Sequence, residues 1–225
     1  MDRVEALARL NRRMLEEYSR RTTDALRAAL PMRLALRHLE PVLALNVAKE
    51  AHKDALVIRC AAAALATGSP PGRATVQRLL EETKSIDRTF LDRVSTFPFG
   101  IVIRYEDVAP VRAQRIERLL FSAYRILGAW RTASGLRAAL RASYPQPELE
   151  RELYDMLKLY ALETNALSRS VRLPALLTPL RERLARGMYS AMNAAAAELA
   201  RDLSRIVYRR GPGKPRAHRV DSYAS

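Results

Sequence analysis

The sequence predicts an all-α fold: a single multi-helix bundle of long amphipathic helices with a short disordered basic C-terminal tail. Hydrophobic residues make up 48% of the 225 residues, yet only 6% are aromatic and only 8 are Gly. Ala and Leu recur throughout, and this balance favours helices over a β-sandwich or barrel. Apolar side chains also repeat at three- and four-residue steps over many turns, which is the helical period. We expect one helical bundle domain over residues 1–209 and a flexible tail over 210–225.

Proline and glycine divide the first half of the chain into helices. Pro31 ends the first helix because proline has no N–H to continue the hydrogen-bond ladder, and Pro41 suits the first position of a new helix. The sequence GSPPG over 68–72 is the clearest loop signal in the chain. The predicted elements of this half are helices over 2–30, 41–66 and 74–96, a short piece over 32–40, and a loop over 68–72.

Residues 99–105 contain the only segment with the β-branched density of a strand, Ile-Val-Ile at 101–103. The sequence offers no second strand to pair with it. The segment is therefore either an extended linker packed on the helices, which we favour because isolated strand pairs are marginal, or a strand that pairs with another copy of the chain.

The second half begins with Asp107 and Pro110, which predict a helix from 110 to about 130, and Gly135 predicts a break or kink before residue 143. Two further proline-containing segments set the remaining boundaries. The predicted elements are a loop over 144–148, a helix reaching about 167, and a long Ala-rich helix over 180–208.

The charge of the chain indicates an anionic partner. There are 39 Lys and Arg against 24 Asp and Glu, a formal net charge of +15. Such a surplus suits nucleic acid, an acidic protein or an anionic membrane surface. Of the cations, 34 are Arg, whose planar fork favours bidentate phosphate contacts, although a GC-rich genome also enriches Arg and Ala.

Two stretches concentrate this charge. Between 110 and 145 there are seven Arg and one acidic residue, and we expect Arg115, Arg118 and Arg125 to form a basic ridge opposite an apolar stripe. The last helix then runs into a basic tail, which suits contact with a phosphate backbone because such contact needs charge density and little geometry. The predicted nucleic-acid-binding residues are Arg112, Arg115, Arg118, Arg125, Arg137, Arg141, Arg205, Arg209, Arg210, Lys214, Arg216 and Arg219.

Catalytic and metal-binding patterns are weak. The single cysteine, Cys60, excludes an internal disulfide and fits a reducing, cytoplasmic location. No Glu is followed three residues later by His, the pattern of di-iron bundles, and no glycine-rich phosphate loop follows a strand. We therefore expect no catalytic residue, no metal and no cofactor.

One enzyme class remains as an alternative. In the segment 33–38, Arg33 precedes His38 by five residues, a spacing that resembles the motif of HEPN-type helical ribonucleases. The resemblance implies that both side chains would contact scissile RNA. It covers only these two residues, and Leu34 stands where the family usually has a polar residue.

These observations predict a non-enzymatic helical protein that binds nucleic acid, DNA included, through an Arg-rich ridge and a basic tail. The alternative is an adaptor or assembly subunit that binds acidic proteins, with the HEPN-like ribonuclease as a further alternative. The long apolar stripes are compatible with a homo-oligomer. Membrane association is disfavoured because the apolar face of the last helix lacks aromatic anchors.

Overall fold

In a computed structural model, seven helices follow one another along the chain, and the structure describes residues 2–29, 33–95, 105–169 and 178–209. Every regular element among these residues is a helix, which confirms the all-α prediction. The helices are α1 (Arg3–Ala29), α2 (Arg33–Thr67), α3 (Arg73–Ser95), α4 (Tyr105–Trp130), α5 (Leu136–Ser143), α6 (Gln146–Arg169) and α7 (Thr178–Tyr208).

Most boundaries lie close to the predicted ones. Gly68 has a φ of 71°, a left-handed conformation that glycine adopts without strain, and it ends α2 at the predicted loop. The break at Gly135 separates α4 from α5 as expected. The loop after α5 is shorter than predicted, because α6 already begins at Gln146. Residues 99–104 of the strand-like segment and the tail at 210–225 lie outside the described residues.

Two prolines do not mark helix starts, and these predictions were wrong. Pro41 lies inside α2, and Pro110 lies inside α4. An interior proline removes one helical hydrogen bond and costs about 3 kcal/mol. In α2 the buried side chains of Val42, Leu43 and Val47 follow directly, and their packing offsets that cost.

The interior contains two apolar clusters at successive levels of the bundle. The first joins α1, α2, α6 and α7 around residues such as Tyr18, Tyr160 and Met192. The second contains residues of all seven helices and is centred on α2, α4 and α5, around residues such as Ile58 and Leu120. Helix α2 runs through both, because it packs against α1, α3, α4 and α6. Within the described part of the chain, no helix has both the length and the apolar character needed to cross a membrane.

Candidate functional site

A group of charged side chains is buried on α2 and its neighbours, where α2 passes from one apolar cluster to the other. None of them is more than 8% exposed. Among the described residues they are all of the buried charges, and cations and carboxylates balance in number. This buried charge cluster consists of Lys49, Lys53, Arg112, Arg115, Glu50, Asp54, Asp87 and Glu163.

The sequence of α2 explains how carboxylates enter the interior. Leu43, Val47 and Val57 are buried and lie on one stripe of the helix at steps of three and four residues. The same stepping places Glu50 and Asp54 on that stripe between Val47 and Val57. Carboxylates at positions that the helical period assigns to the core are the sequence signal that predicts this cluster, and our sequence analysis missed it.

Arg115 of α4 contacts three of the four carboxylates in the cluster. One guanidinium nitrogen lies 2.5 Å from Asp54 Oδ2. The other is hydrogen-bonded to Glu50 and lies 3.4 Å from Glu163 Oε2. The guanidinium carbon also lies 5.2 Å from the centre of the Tyr160 ring. One side chain thereby connects α4 to both α2 and α6.

Lys53 of α2 binds the second oxygen of two carboxylates that Arg115 also contacts, those of Glu50 and Glu163. Its Nζ donates to Glu50 Oε1 at 3.0 Å and to Glu163 Oε1 at 3.4 Å. Burial lowers the pKa of Lys53, but the charges of Glu163, Glu50 and Asp87 outweigh burial and raise the pKa above its ordinary value. Lys53 is therefore a buried ammonium ion with three carboxylate neighbours.

Asp87 brings α3 into the cluster. Its Oδ1 accepts a hydrogen bond from Lys53 at 3.0 Å and lies 3.4 Å from Nζ of Lys49. Its Oδ2 accepts from Arg112 at 2.5 Å. Lys49 also lies 4.6 Å from the centre of the Phe90 ring, a cation–π contact. Each added pair neutralises a charge that burial alone would make costly.

The two α2 carboxylates differ in their affinity for protons. Burial raises the pKa of Glu50, but the charges of Lys49, Lys53 and Arg115 outweigh it and hold the pKa well below its ordinary value. For Asp54, burial is the dominant effect and raises the pKa to about 6, although Arg115 opposes the rise. Asp54 Oδ2 accepts from Asn11 of α1 at 2.6 Å, whereas its Oδ1 accepts no hydrogen bond from a described residue.

The cluster links five helices. Salt bridges join α2, α3, α4 and α6, and the hydrogen bond from Asn11 adds α1. Because a displaced helix would leave these buried charges without their partners, we expect the cluster to favour one register of the helices around it. In the part of the chain described, no three His, Cys, Asp or Glu side chains group as metal ligands. Each carboxylate of the cluster instead contacts Lys or Arg.

The raised pKa of Asp54 predicts a specific pH dependence of stability. The folded protein holds a proton on Asp54 up to about pH 6, whereas the unfolded chain loses it near pH 4. Acidification from pH 7 to pH 5 should therefore raise the free energy of unfolding by about 1.4 kcal/mol through this group. Urea denaturation at both pH values measures the gain. Asp54→Asn should abolish it, and an unchanged gain in that variant would contradict the assignment.

Arg112 and Arg115 were expected on an exposed basic ridge, and this placement was wrong. Arg112 is 7% exposed and Arg115 is 4% exposed. At ~100° per residue, Arg115 lies only about 40° from Leu119 around the helix axis, so it belongs to the buried face. Both arginines bind carboxylates inside the bundle.

Arg118 and Arg125 do lie at the surface, but they face acidic residues of α6. Arg118 is 2.8 Å from Asp155, and Arg125 is 3.5 Å from Glu152. Arg125 also covers the ring of Tyr144 at 4.8 Å. The predicted ridge is therefore largely neutralised within the protein, and we call these two salt bridges the α4–α6 seam.

Four other predicted residues surround the C-terminal end of α7. Arg205 and Arg209 are exposed on or just after α7, and Arg137 is exposed on α5. Arg141 of α5 donates to the carbonyl of Val207 at 2.8 Å and to that of Arg209 at 3.3 Å, which caps the helix end. We call Arg137, Arg141, Arg205 and Arg209 the α7-end patch.

Several predicted residues lie outside the described part of the chain. These include the side chains of Arg33 and His38, so the HEPN-like alternative stays a prediction. The tail residues Arg210, Lys214, Arg216 and Arg219 also lie outside it and follow the α7-end patch directly in sequence.

Comparison of the chain with protein-family models, with curated proteins and with solved structures finds no match.

Proposed function

We propose that this protein is a non-enzymatic helical binding protein that contacts nucleic-acid phosphates through the α7-end patch and the basic segment after it. The supporting observation is a difference between two groups of exposed arginines. Both arginines of the α4–α6 seam face carboxylates of α6, whereas Arg137 and Arg209 of the α7-end patch have no carboxylate partner among the described residues. Arg205 lies 3.7 Å from Asp202, a carboxylate that Arg21 already holds at 2.9 Å.

This difference matters because binding to nucleic acid is driven by the release of counterions from phosphates. A cation that already neutralises a carboxylate of its own protein releases little more when a phosphate approaches. Arg209 has no such partner among the described residues, Arg205 shares Asp202 with Arg21, and Arg141 is directed to backbone carbonyls. The sequence adds four more cations within ten residues of Arg209.

The test compares two variants that remove the same charge. The patch variant carries Arg205→Gln and Arg209→Gln, and the seam variant carries Arg118→Gln and Arg125→Gln. Fluorescence anisotropy with labelled duplex DNA, single-stranded DNA and RNA across a salt series gives the slope of log affinity against log salt. For duplex DNA the patch variant should flatten that slope by about 0.9 for each phosphate that it no longer neutralises, whereas the seam variant should retain it.

Equal effects of the two variants would contradict the proposed surface, because only the total charge would then matter. Absence of binding by the unmodified protein at low salt would contradict the function itself. Size-exclusion chromatography of the same samples measures the oligomeric state, since self-association would multiply the number of patches in each complex.

A second candidate is an adaptor that binds an acidic protein. The observation that favours it is the groove between α1 and α7, where Ile206 is 56% exposed beside Arg205 and Arg209. An acidic amphipathic helix would match both the apolar floor and the basic rim. This candidate takes precedence if the salt series detects no nucleic-acid binding.

A further inference from the structure

A second feature of the bundle is a partly open cavity of about 330 Å³ lined by α1, α2, α4, α5, α6 and α7. Helical cores are normally packed without voids of this size. The cavity has more than twice the volume of an engineered apolar cavity of ~150 Å³ that stays dry and binds benzene. Its wall is mostly aliphatic and includes Leu7, Ile58, Leu119, Ala123, Leu140 and Met156.

The few polar side chains in the wall are bound to partners within the protein. Ser122 is hydrogen-bonded to Glu152, and the hydroxyl of Tyr144 lies 3.4 Å from the same carboxylate. Asn11 is held by Asp54. Arg137 differs from these groups, because it lines the cavity while its side chain reaches solvent.

The cavity adjoins the groove between α1 and α7. Leu10, Met14, Leu203 and Ile206 line both spaces, and the large exposure of Ile206 places solvent at this junction. An elongated ligand could therefore lie with one end in the cavity and the other in the groove.

The groove has a basic rim. Arg13, Arg205 and Arg209 line it. Arg21 lines it too, together with the two carboxylates that hold it at 2.9 Å, Glu17 and Asp202. Arg137 adds a further cation at the wall of the cavity itself. An apolar pocket with a few charged groups at its mouth selects a ligand with an apolar body and one charged end.

We propose that this cavity binds the alkyl chain of a fatty carboxylate, with the carboxylate at Arg137 and the basic rim of the groove. A cavity of ~150 Å³ holds the six carbons of benzene, so a cavity of about 330 Å³ has room for a chain of about twelve carbons. Chain burial supplies most of the affinity, and charge-assisted hydrogen bonds to arginine select the anionic head. This inference shares Arg137, Arg205 and Arg209 with the nucleic-acid proposal, but it rests on the cavity, so either proposal can fail while the other stands.

The test is isothermal titration calorimetry of the full chain with dodecanoate below its micelle concentration. We expect saturable binding of one dodecanoate per chain. Butyrate, which has the head without the chain, and dodecyltrimethylammonium, which has the chain with the opposite charge, should both bind at least about tenfold more weakly. Equal binding of the cationic amphiphile would overturn the proposed head-group site.

Two kinds of variant locate the site. Ala123→Leu fills the cavity and should weaken dodecanoate binding by about tenfold without lowering Tm, because filling a void adds packing. Arg137→Gln removes the cation at the cavity and should weaken binding by a similar factor. Arg73→Gln, on a helix that contributes nothing to the cavity, is the matched control for charge and should bind as the unmodified protein does.

Leu203→Phe gives a second obstruction at the partly exposed junction, so the test does not depend on how Ala123→Leu folds. If dodecanoate binds several times per chain and neither obstruction weakens it, adsorption to the basic surface explains the signal and the proposal is wrong. The proposal is equally wrong if the unmodified protein does not bind dodecanoate.

Discussion

Replacing Arg115 with methionine should lower the free energy of unfolding by about 3–5 kcal/mol, the range measured when one partner of a buried ion pair is removed. Arg115 is only 4% exposed and contacts Asp54, Glu50 and Glu163. Methionine would fill similar space but leave a surplus of buried negative charge. Urea denaturation monitored by circular dichroism at the helix minimum measures the decrease.

Arg118→Met is the matched control, since it changes the same residue type one turn along α4. Arg118 is 47% exposed and its bridge to Asp155 is screened by water. Exposed bridges contribute about 0–1 kcal/mol, so the control should lose no more stability than that. Similar decreases in both variants would show that the buried charges contribute no more than surface pairs, contrary to our account of the cluster.

Lys53→Met should also cost about 3–5 kcal/mol, and this cost should fall when Glu163 is neutralised as well. The lysine is fully buried with three carboxylate neighbours, so its removal leaves Glu163 with less compensation. In the double variant with Glu163→Gln, the buried charges balance again. A double-mutant cycle in urea should therefore give a coupling free energy of about 1–3 kcal/mol.

The exposed pair Arg12 and Glu16, 2.9 Å apart on α1, provides the reference cycle. Helix pairs of this kind couple by about 0.3–0.5 kcal/mol. Additive effects of Lys53→Met and Glu163→Gln, within the size of the reference, would mean that the two side chains do not interact as the structure places them.

The fold could be predicted from the sequence because helical period and turn residues are local signals. The loop at 68–72 and the break at Gly135 follow from residues within a few positions of one another. The helix starts predicted at Pro41 and Pro110 were wrong, because tertiary packing overrode the local preference of proline for the first position of a helix. Apolar residues directly after Pro41 hold that helix together, and their packing partners are distant in sequence.

The charged interior could be predicted only in part. The stripe of α2 indicates that Glu50 and Asp54 face inward, but the rest of the cluster includes side chains of α3, α4 and α6, and Glu163 lies 110 positions after Lys53. Net charge alone does not separate an arginine that faces solvent from one that faces a buried carboxylate. The arginines at the end of α7 could be predicted as a basic group, because Arg205 and Arg209 lie close together in sequence.

The buried charge cluster also constrains how this sequence can diverge. A change that removes one charge, such as that of Glu50 or Arg115, leaves an excess of the opposite charge in the interior, and the expected loss of about 3–5 kcal/mol is a large part of the stability of an ordinary domain, about 5–15 kcal/mol. Descendants can instead exchange opposite charges together, or replace the whole set with apolar residues of similar volume, which buried ion pairs often tolerate. The positions of the cluster would then be inherited as one unit, while the exposed arginines around them drift independently.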